Sequence, residues 1–149
     1  MSQENVELVR RLYAEEPRGL PAVGADDERV PLDRLFRDYY DEQLEIRMPG
    51  DYPEGEQVLR GREGFAQLLA MLRDTWTEFR FEPERFIGSA DRVVVFVRVV
   101  AEGGASGVTT ERKTAHVWTV RHGRLSSIQI YRDRAQALEA VGLGDPGAL

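Results

Sequence analysis

Residues 109–133 read TTERKTAHVWTVRHGRLSSIQIYRD, and the architecture follows from how this stretch turns back on itself. His122-Gly123 stands between two runs rich in β-branched and aromatic residues, the pattern of a two-residue hairpin turn. With Arg121 opposite Arg124, a regular ladder pairs Val120 with Leu125, Trp118 with Ser127, and His116 with Gln129. It continues with Thr114 opposite Tyr131 and Arg112 opposite Asp133. Side chains alternate across a strand, so Arg112, His116, Trp118, Gln129, Tyr131 and Asp133 are expected on one face. Ala115, Val117, Ile128 and Ile130 are expected on the other. The first face mixes aromatics with ionisable groups, as a pocket wall does. The second is aliphatic, as a packing surface is.

Upstream of the hairpin the period of the apolar residues changes three times. Val6, Val9, Leu12 and Tyr13 recur at helical spacing, and Pro17 and Gly19 end that helix. Residues 17–31 carry three prolines and two glycines and read as a loop. Leu32, Leu35, Phe36 and Tyr39 mark a second short helix, with Pro31 suited to its first turn. Leu44, Ile46 and Met48 alternate with charged residues as a strand that Pro49-Gly50 stops, and the stretch to Gly61 is rich in turn formers. Phe65, Leu68, Leu69, Leu72 and Trp76 fall at i, i+3, i+4, i+7 and i+11 and predict an amphipathic helix. From there the period is two: a strand over Phe79–Ile87 broken by Pro83, a long strand over Arg92–Ala101, then the hairpin. Arg134–Val141 reads as a closing helical turn, and residues 142–149 as a flexible tail. Helices first and antiparallel strands afterwards imply an α+β fold.

The whole chain has the dimensions of one domain, residues 1–149. Apolar residues make up 42% and charged ones 31%, which excludes a disordered chain. Twenty basic residues against 26 acidic give a net charge of −6, the wrong sign for nucleic acid or an anionic membrane surface. The absence of cysteine excludes disulfides, thiolate chemistry and cysteine-ligated metals. No signal peptide pattern opens the sequence, and no apolar run approaches bilayer length. A soluble cytoplasmic protein is therefore expected.

Four segments carry a resemblance to a known family. Gly61-Arg62-Glu63-Gly64 before the third helix, the run Val117–Leu125, and Tyr131-Arg132-Asp133-Arg134-Ala135 are similar to signatures of the SnoaL-like branch of the NTF2-like superfamily. Asn5–Tyr13 resembles the first helix of many bacterial members. The resemblance covers nearly the whole chain apart from the longer loop at 17–31. It implies a cone-shaped α+β barrel, in which a curved antiparallel sheet and three helices from the N-terminal half enclose an apolar pocket. It also implies a homodimer formed through the outer face of the sheet, with Val117, Ile128 and Ile130 at the interface. Members of this superfamily include ketosteroid isomerases, polyketide cyclases, epoxide hydrolases, dehydratases and non-catalytic binding modules, so the fold alone does not set the function.

The candidate chemistry centres on Asp133, at the end of the last strand, where several family enzymes place a functional acid. In an apolar pocket it would act as a base with a raised pKa. Two structural alternatives stand beside this: an ion pair with Arg112, or an N-cap for the helix beginning at Arg134. His116 is a second acid–base candidate, or a core residue bonded to Gln129. Tyr13 matches the place of an oxyanion-stabilising tyrosine in ketosteroid isomerases, and Arg112 would orient or neutralise Asp133. Trp118, Tyr131, Gln129, Tyr39, Met48 and Trp76 are candidate substrate contacts.

Two departures from the family weigh against a known reaction. Met48 fills the slot where ketosteroid isomerases carry their aspartate before a proline. Thr114, two residues after Arg112, stands where epoxide hydrolases keep an acid. Neither a cofactor nor a metal is indicated, since two histidines at unrelated positions do not make a zinc site. The reading is a protein that binds a small, largely apolar organic molecule, with SnoaL-type acid–base chemistry: cyclisation, isomerisation, dehydration or hydrolysis. The alternative is a non-catalytic ligand-binding or dimeric assembly module. A cavity on the order of 300–1,000 Å³ reached by both Asp133 and His116 would favour the enzyme. Side chains held by structural hydrogen bonds would favour the alternative.

Overall fold

The helices and strands read from the sequence form in a computed structural model that describes residues 2–15, 32–48, 57–103 and 108–143. The elements run α1 (Ser2–Glu15), α2 (Leu32–Asp38), β1 (Tyr40–Met48), β2 (Gln57–Arg60) and α3 (Gly61–Thr75). β3 (Trp76–Ser89), β4 (Arg92–Gly103), β5 (Thr109–Arg121), β6 (Arg124–Tyr131) and α4 (Arg134–Ala140) follow. Two boundaries differ from expectation. Residues 57–60, read as turn, form a short strand against β1, and Trp76 opens β3 instead of closing α3. The loop at 17–31 and most of the expected tail lie outside the described residues.

The sheet is not the curved antiparallel barrel that was expected. Its six strands lie in the order β2-β1-β6-β5-β4-β3, with β2 and β3 as unjoined edges, so it stays open. It is also mixed. β6 returns beside β1 in the same direction, pairing Ile46 with Ile128 and Arg47 with Gln129, while the other pairs are antiparallel. Closure would require β2 and β3 to pair, and β2, of four residues, pairs only with β1 among the described residues. Pro83 sits at a register shift in the β3 edge, where a missing N–H costs no central ladder bond.

Alternation along β4 sorts the interior into two cores. Val93, Val95, Val97 and Ala101 face α1, α2 and α3, together with Val9, Leu12, Leu35, Phe36, Phe65 and Trp118. Val94 and Phe96 face the other way and are covered, with Ala115 and Val117, by Ala137 and Leu138 of α4. We call the first the inner face. Gly64 lets α3 approach the sheet edge: a Cβ there would lie 2.8 Å from the backbone of Leu59.

The hairpin turn forms as read, with His122 (φ 52°) and Gly123 (φ 75°) both in the left-handed region that a type I′ turn requires. Arg121 pairs with Arg124 and Val120 with Leu125, and then the register slips by one residue. Ser126 is the extra residue of a β-bulge, its hydroxyl donating to the Thr119 carbonyl at 3.2 Å. Beyond it Trp118 pairs with Ile128, His116 with Ile130, and Ala115 with Tyr131. The slip reverses the expected faces of β6, because a one-residue shift moves every following side chain to the opposite side. Ile128 and Ile130 therefore join Trp118 on the inner face, while Tyr131 packs with the α4 core and Gln129 pairs with Val117. Val117, Ile128 and Ile130 do not share a surface, and Val117 lies under α4, so they do not form the single dimer interface that was expected.

Candidate functional site

A buried hydrogen-bond chain links α1 to the inner face of β5. The helical stripe of α1 ends in Tyr13, which is 3% exposed. Period two brings His116 and Trp118 to the same side of β5, both essentially solvent-free. The Trp118 indole N–H donates to the Tyr13 hydroxyl at 2.9 Å, and that hydroxyl lies 2.7 Å from His116 Nδ1. Aromatic neighbours hold the three rings: Trp118 stacks on Tyr40, and Phe86 and Phe81 meet Tyr13 and His116 edge to face.

Burial governs the electrostatics of this chain. Desolvation pushes the Tyr13 phenol well above its ordinary range, partly opposed by the hydrogen bond from Trp118, so it stays protonated. The same desolvation lowers the His116 imidazole to about 3, so it is neutral at physiological pH.

Next to His116 the inner face leaves a small cavity of about 20 Å³. Ile46, Phe65, Leu68, Phe81, Trp118, Ile128 and Ile130 line it together with His116, which is the one ionisable residue in that wall. Its volume corresponds to about one water molecule. The arrangement can hold an apolar group against a neutral imidazole.

The remaining sequence candidates are dispersed. Asp133 is exposed, and its carboxylate accepts the Ala135 N–H at 2.8 Å as the N-cap of α4. Arg112 is exposed and pairs in register with Val99, and β6 ends before any partner at 133 could meet it. Tyr131 and Gln129 lie across the sheet, for the reason given above. Tyr39 and Met48 are core residues beside α2 and β1 and are not in the cavity wall. Trp76 begins β3 opposite Gly103, and its side chain lies outside the described set. The structure thus brings together Tyr13, His116 and Trp118 from the expected set.

The residues missed as site candidates were Ile46, Phe65, Leu68, Phe81, Ile128 and Ile130. Phe65 and Leu68 belonged to a stripe already read as core-facing. The two isoleucines of β6, Ile128 and Ile130, had a signal in the sequence. Leu125 and Ile128 are three apart, so they can share a face only if one residue between them bulges. Among the described residues no group of three or more His, Asp or Glu is placed to hold a metal. No described helix is long and apolar enough to cross a membrane.

Residues 29–128 match the SnoaL-like domain. A search of curated proteins finds no match. Among solved structures, an NTF2-like protein from Burkholderia xenovorans LB400 is 25% identical, with a TM-score of 0.67 over 95% of this chain and 97% of that one. TerC co-crystallised with polyporic acid is 23% identical, with a TM-score of 0.68 over 93% and 97% of the two chains. A protein of ketosteroid isomerase-like fold from Catenulispora acidiphila DSM 44928, in complex with trimethylamine, is 14% identical, with a TM-score of 0.64 over 92% and 93%.

Proposed function

The chain belongs to the SnoaL-like domain family, and we propose that it binds a small, largely apolar organic molecule between α3 and the inner face of the sheet. The observation that carries this reading is the apolar cavity with one buried neutral histidine in its wall. A few polar groups in an otherwise apolar concavity are the usual makeup of a small-molecule site. The cavity is smaller than an organic ligand, so binding displaces part of its wall. Leu68, Phe81 and Ile130 are only half-buried and form the part that yields. Relatives of the same fold have been crystallised with small organic molecules, polyporic acid and trimethylamine, which is consistent with this use of the scaffold.

Of the two readings open at the sequence level, holding a ligand is better supported than transforming it. Asp133, the expected base, is engaged as a helix cap outside the wall of the cavity. Acid–base turnover would fall to His116 and Tyr13, and both are held by burial in their neutral forms.

A thermal-shift screen of small aromatic and alicyclic compounds tests the proposal. A ligand at a hundred times its Kd stabilises the fold by about 2.7 kcal/mol. Leu68→Trp, which fills the cavity from α3, is expected to abolish that shift without unfolding the protein. Hits that survive Leu68→Trp unchanged would place binding elsewhere and overturn the proposal.

A further inference from the structure

The proton order along the buried chain fixes what kind of polar contact the cavity offers, an inference that rests on the binding reading above. An indole N–H only donates, so the Tyr13 oxygen accepts from Trp118. The Tyr13 hydroxyl then has one proton of its own to place. Among the described residues its one acceptor is His116 Nδ1. Were Nδ1 protonated instead, the phenol oxygen would receive both hydrogen bonds and its own proton would be buried without a partner, the costly outcome for a buried donor. The order is therefore Trp118 N–H to Tyr13 O–H to His116 Nδ1. A neutral imidazole whose Nδ1 is bare carries its hydrogen on Nε2.

That hydrogen has no described partner. His116 makes one hydrogen bond among the described residues, through Nδ1, and the other cavity-lining side chains are aliphatic or aromatic, with the Trp118 N–H already turned to Tyr13. Water fits the space poorly as a partner, because a buried water requires two or more polar contacts and this wall provides one. We propose that His116 Nε2–H is the recognition group of the cavity, selecting an uncharged apolar molecule that carries a hydrogen-bond acceptor such as a ketone, ether or epoxide oxygen. A carboxylate would lose its hydration against apolar walls for a single hydrogen bond. An ammonium would meet a donor. Tyr13 acts as a positioning residue, holding the tautomer that points the donor at the ligand.

Two measurements test this. Long-range ¹H–¹⁵N NMR of the labelled protein reports the protonated ring nitrogen directly, with His122 assigned by its own substitution. We expect a pyrrole-type Nε2 and a pyridine-type Nδ1 for His116, with a mixture of tautomers in Tyr13→Phe. A protonated Nδ1 in the native protein overturns the proposal without any ligand being needed.

The second is calorimetric affinity for acetophenone and for ethylbenzene, which share a frame and differ in the oxygen. The ketone is expected to bind about fivefold more tightly, the scale of one neutral hydrogen bond. His116→Phe should erase the preference, and His116→Gln, which keeps an amide N–H near the Nε2 position, should retain it. Equal affinity for the two compounds in the native protein would overturn the donor assignment and leave the binding site standing. Binding of neither would remove the binding reading, and this selectivity with it.

Discussion

Lowering the pH from 7 to 5 should destabilise this protein through His116 by a predictable amount. The imidazole is lowered from its ordinary value of 6.5 to about 3 in the fold, because burial penalises its charged form. In the unfolded chain it takes up a proton as the pH falls through 6.5. In the folded chain it does not until about 3. The unfolded state thus binds more protons throughout that window, and stability contributed by the neutral histidine above 6.5 is lost as the pH falls toward 3. Integrated between pH 7 and 5, the linkage amounts to about 2 kcal/mol. For a chain of this size that corresponds to a melting temperature lower by about 4–8 °C. Carboxylates titrate as well, among them Glu84, whose carboxyl is held low by its hydrogen bond from Arg134. The measurement is therefore a difference: urea unfolding of the native protein and of His116→Asn, whose amide oxygen can still accept from Tyr13, at both pH values. The native protein should lose about 2 kcal/mol more than the variant. Parallel losses would mean that His116 is not held neutral by burial, and the electrostatic account of the site would fall.

Tyr13→Phe strands the Trp118 N–H and His116 Nδ1 together, so urea unfolding should show a loss of about 2–6 kcal/mol, each desolvated group costing about 1–3 kcal/mol. Asp133→Ala should cost about 1 kcal/mol as a lost N-cap while Asp133→Ser costs little, and neither should change the affinity of any cavity ligand, as isothermal calorimetry would show. Gly64→Ala drives a methyl into the Leu59 backbone and should destabilise by about 1–3 kcal/mol in thermal melts; an unchanged melting temperature would contradict the close approach of α3 to β2. Deleting Ser126 removes the bulge and leaves Ile128 opposite Trp118 and Ile130 opposite His116, so it should cost about 1 kcal/mol, the scale of the lost hydrogen bond from Ser126 to the Thr119 carbonyl. A loss above about 3 kcal/mol by circular dichroism, the cost of turning both isoleucines outward at about 1.5 kcal/mol or more each, would refute the bulge at Ser126.

The parts of the fold that follow from local periodicity could be read from the sequence. The stripe Val9, Leu12, Tyr13 buries as a helix, the stripe beginning at Phe65 opens α3 with Phe65 buried, and His122-Gly123 turns as a dipeptide able to adopt two positive φ values must. What depends on distant pairing could not. The parallel contact of β6 with β1 joins Ile46 to Ile128 across 82 positions, and neither segment carries a mark of its partner's direction. β2 escaped notice because four residues between turn formers are too few to show a period. The open edges follow from the same two facts. A family resemblance supplied the superfamily and overstated the closure of the sheet.

The candidate site shows the same division at the scale of single residues. Tyr13, His116 and Trp118 were legible because each sits on an element whose phase is set locally. Gln129 and Tyr131 were misplaced because they lie beyond Ser126, and one bulged residue reverses the phase of the strand that follows, whereas Asp133 takes the helix-capping role that the sequence offered beside the catalytic one. The slip decides the chemistry as well as the packing. With a regular ladder, an amide and a phenol would have faced His116 and offered it partners. With the bulge, isoleucines stand there instead, His116 is left among hydrocarbon side chains in the cavity wall, and the carboxylate at 133 is taken up by the backbone of α4. An apolar wall beside a neutral histidine binds uncharged molecules, whereas a wall of Gln129, Tyr131 and Asp133 would have suited proton transfer. The difference between those two proteins is whether Ser126 pairs in the ladder or bulges out of it.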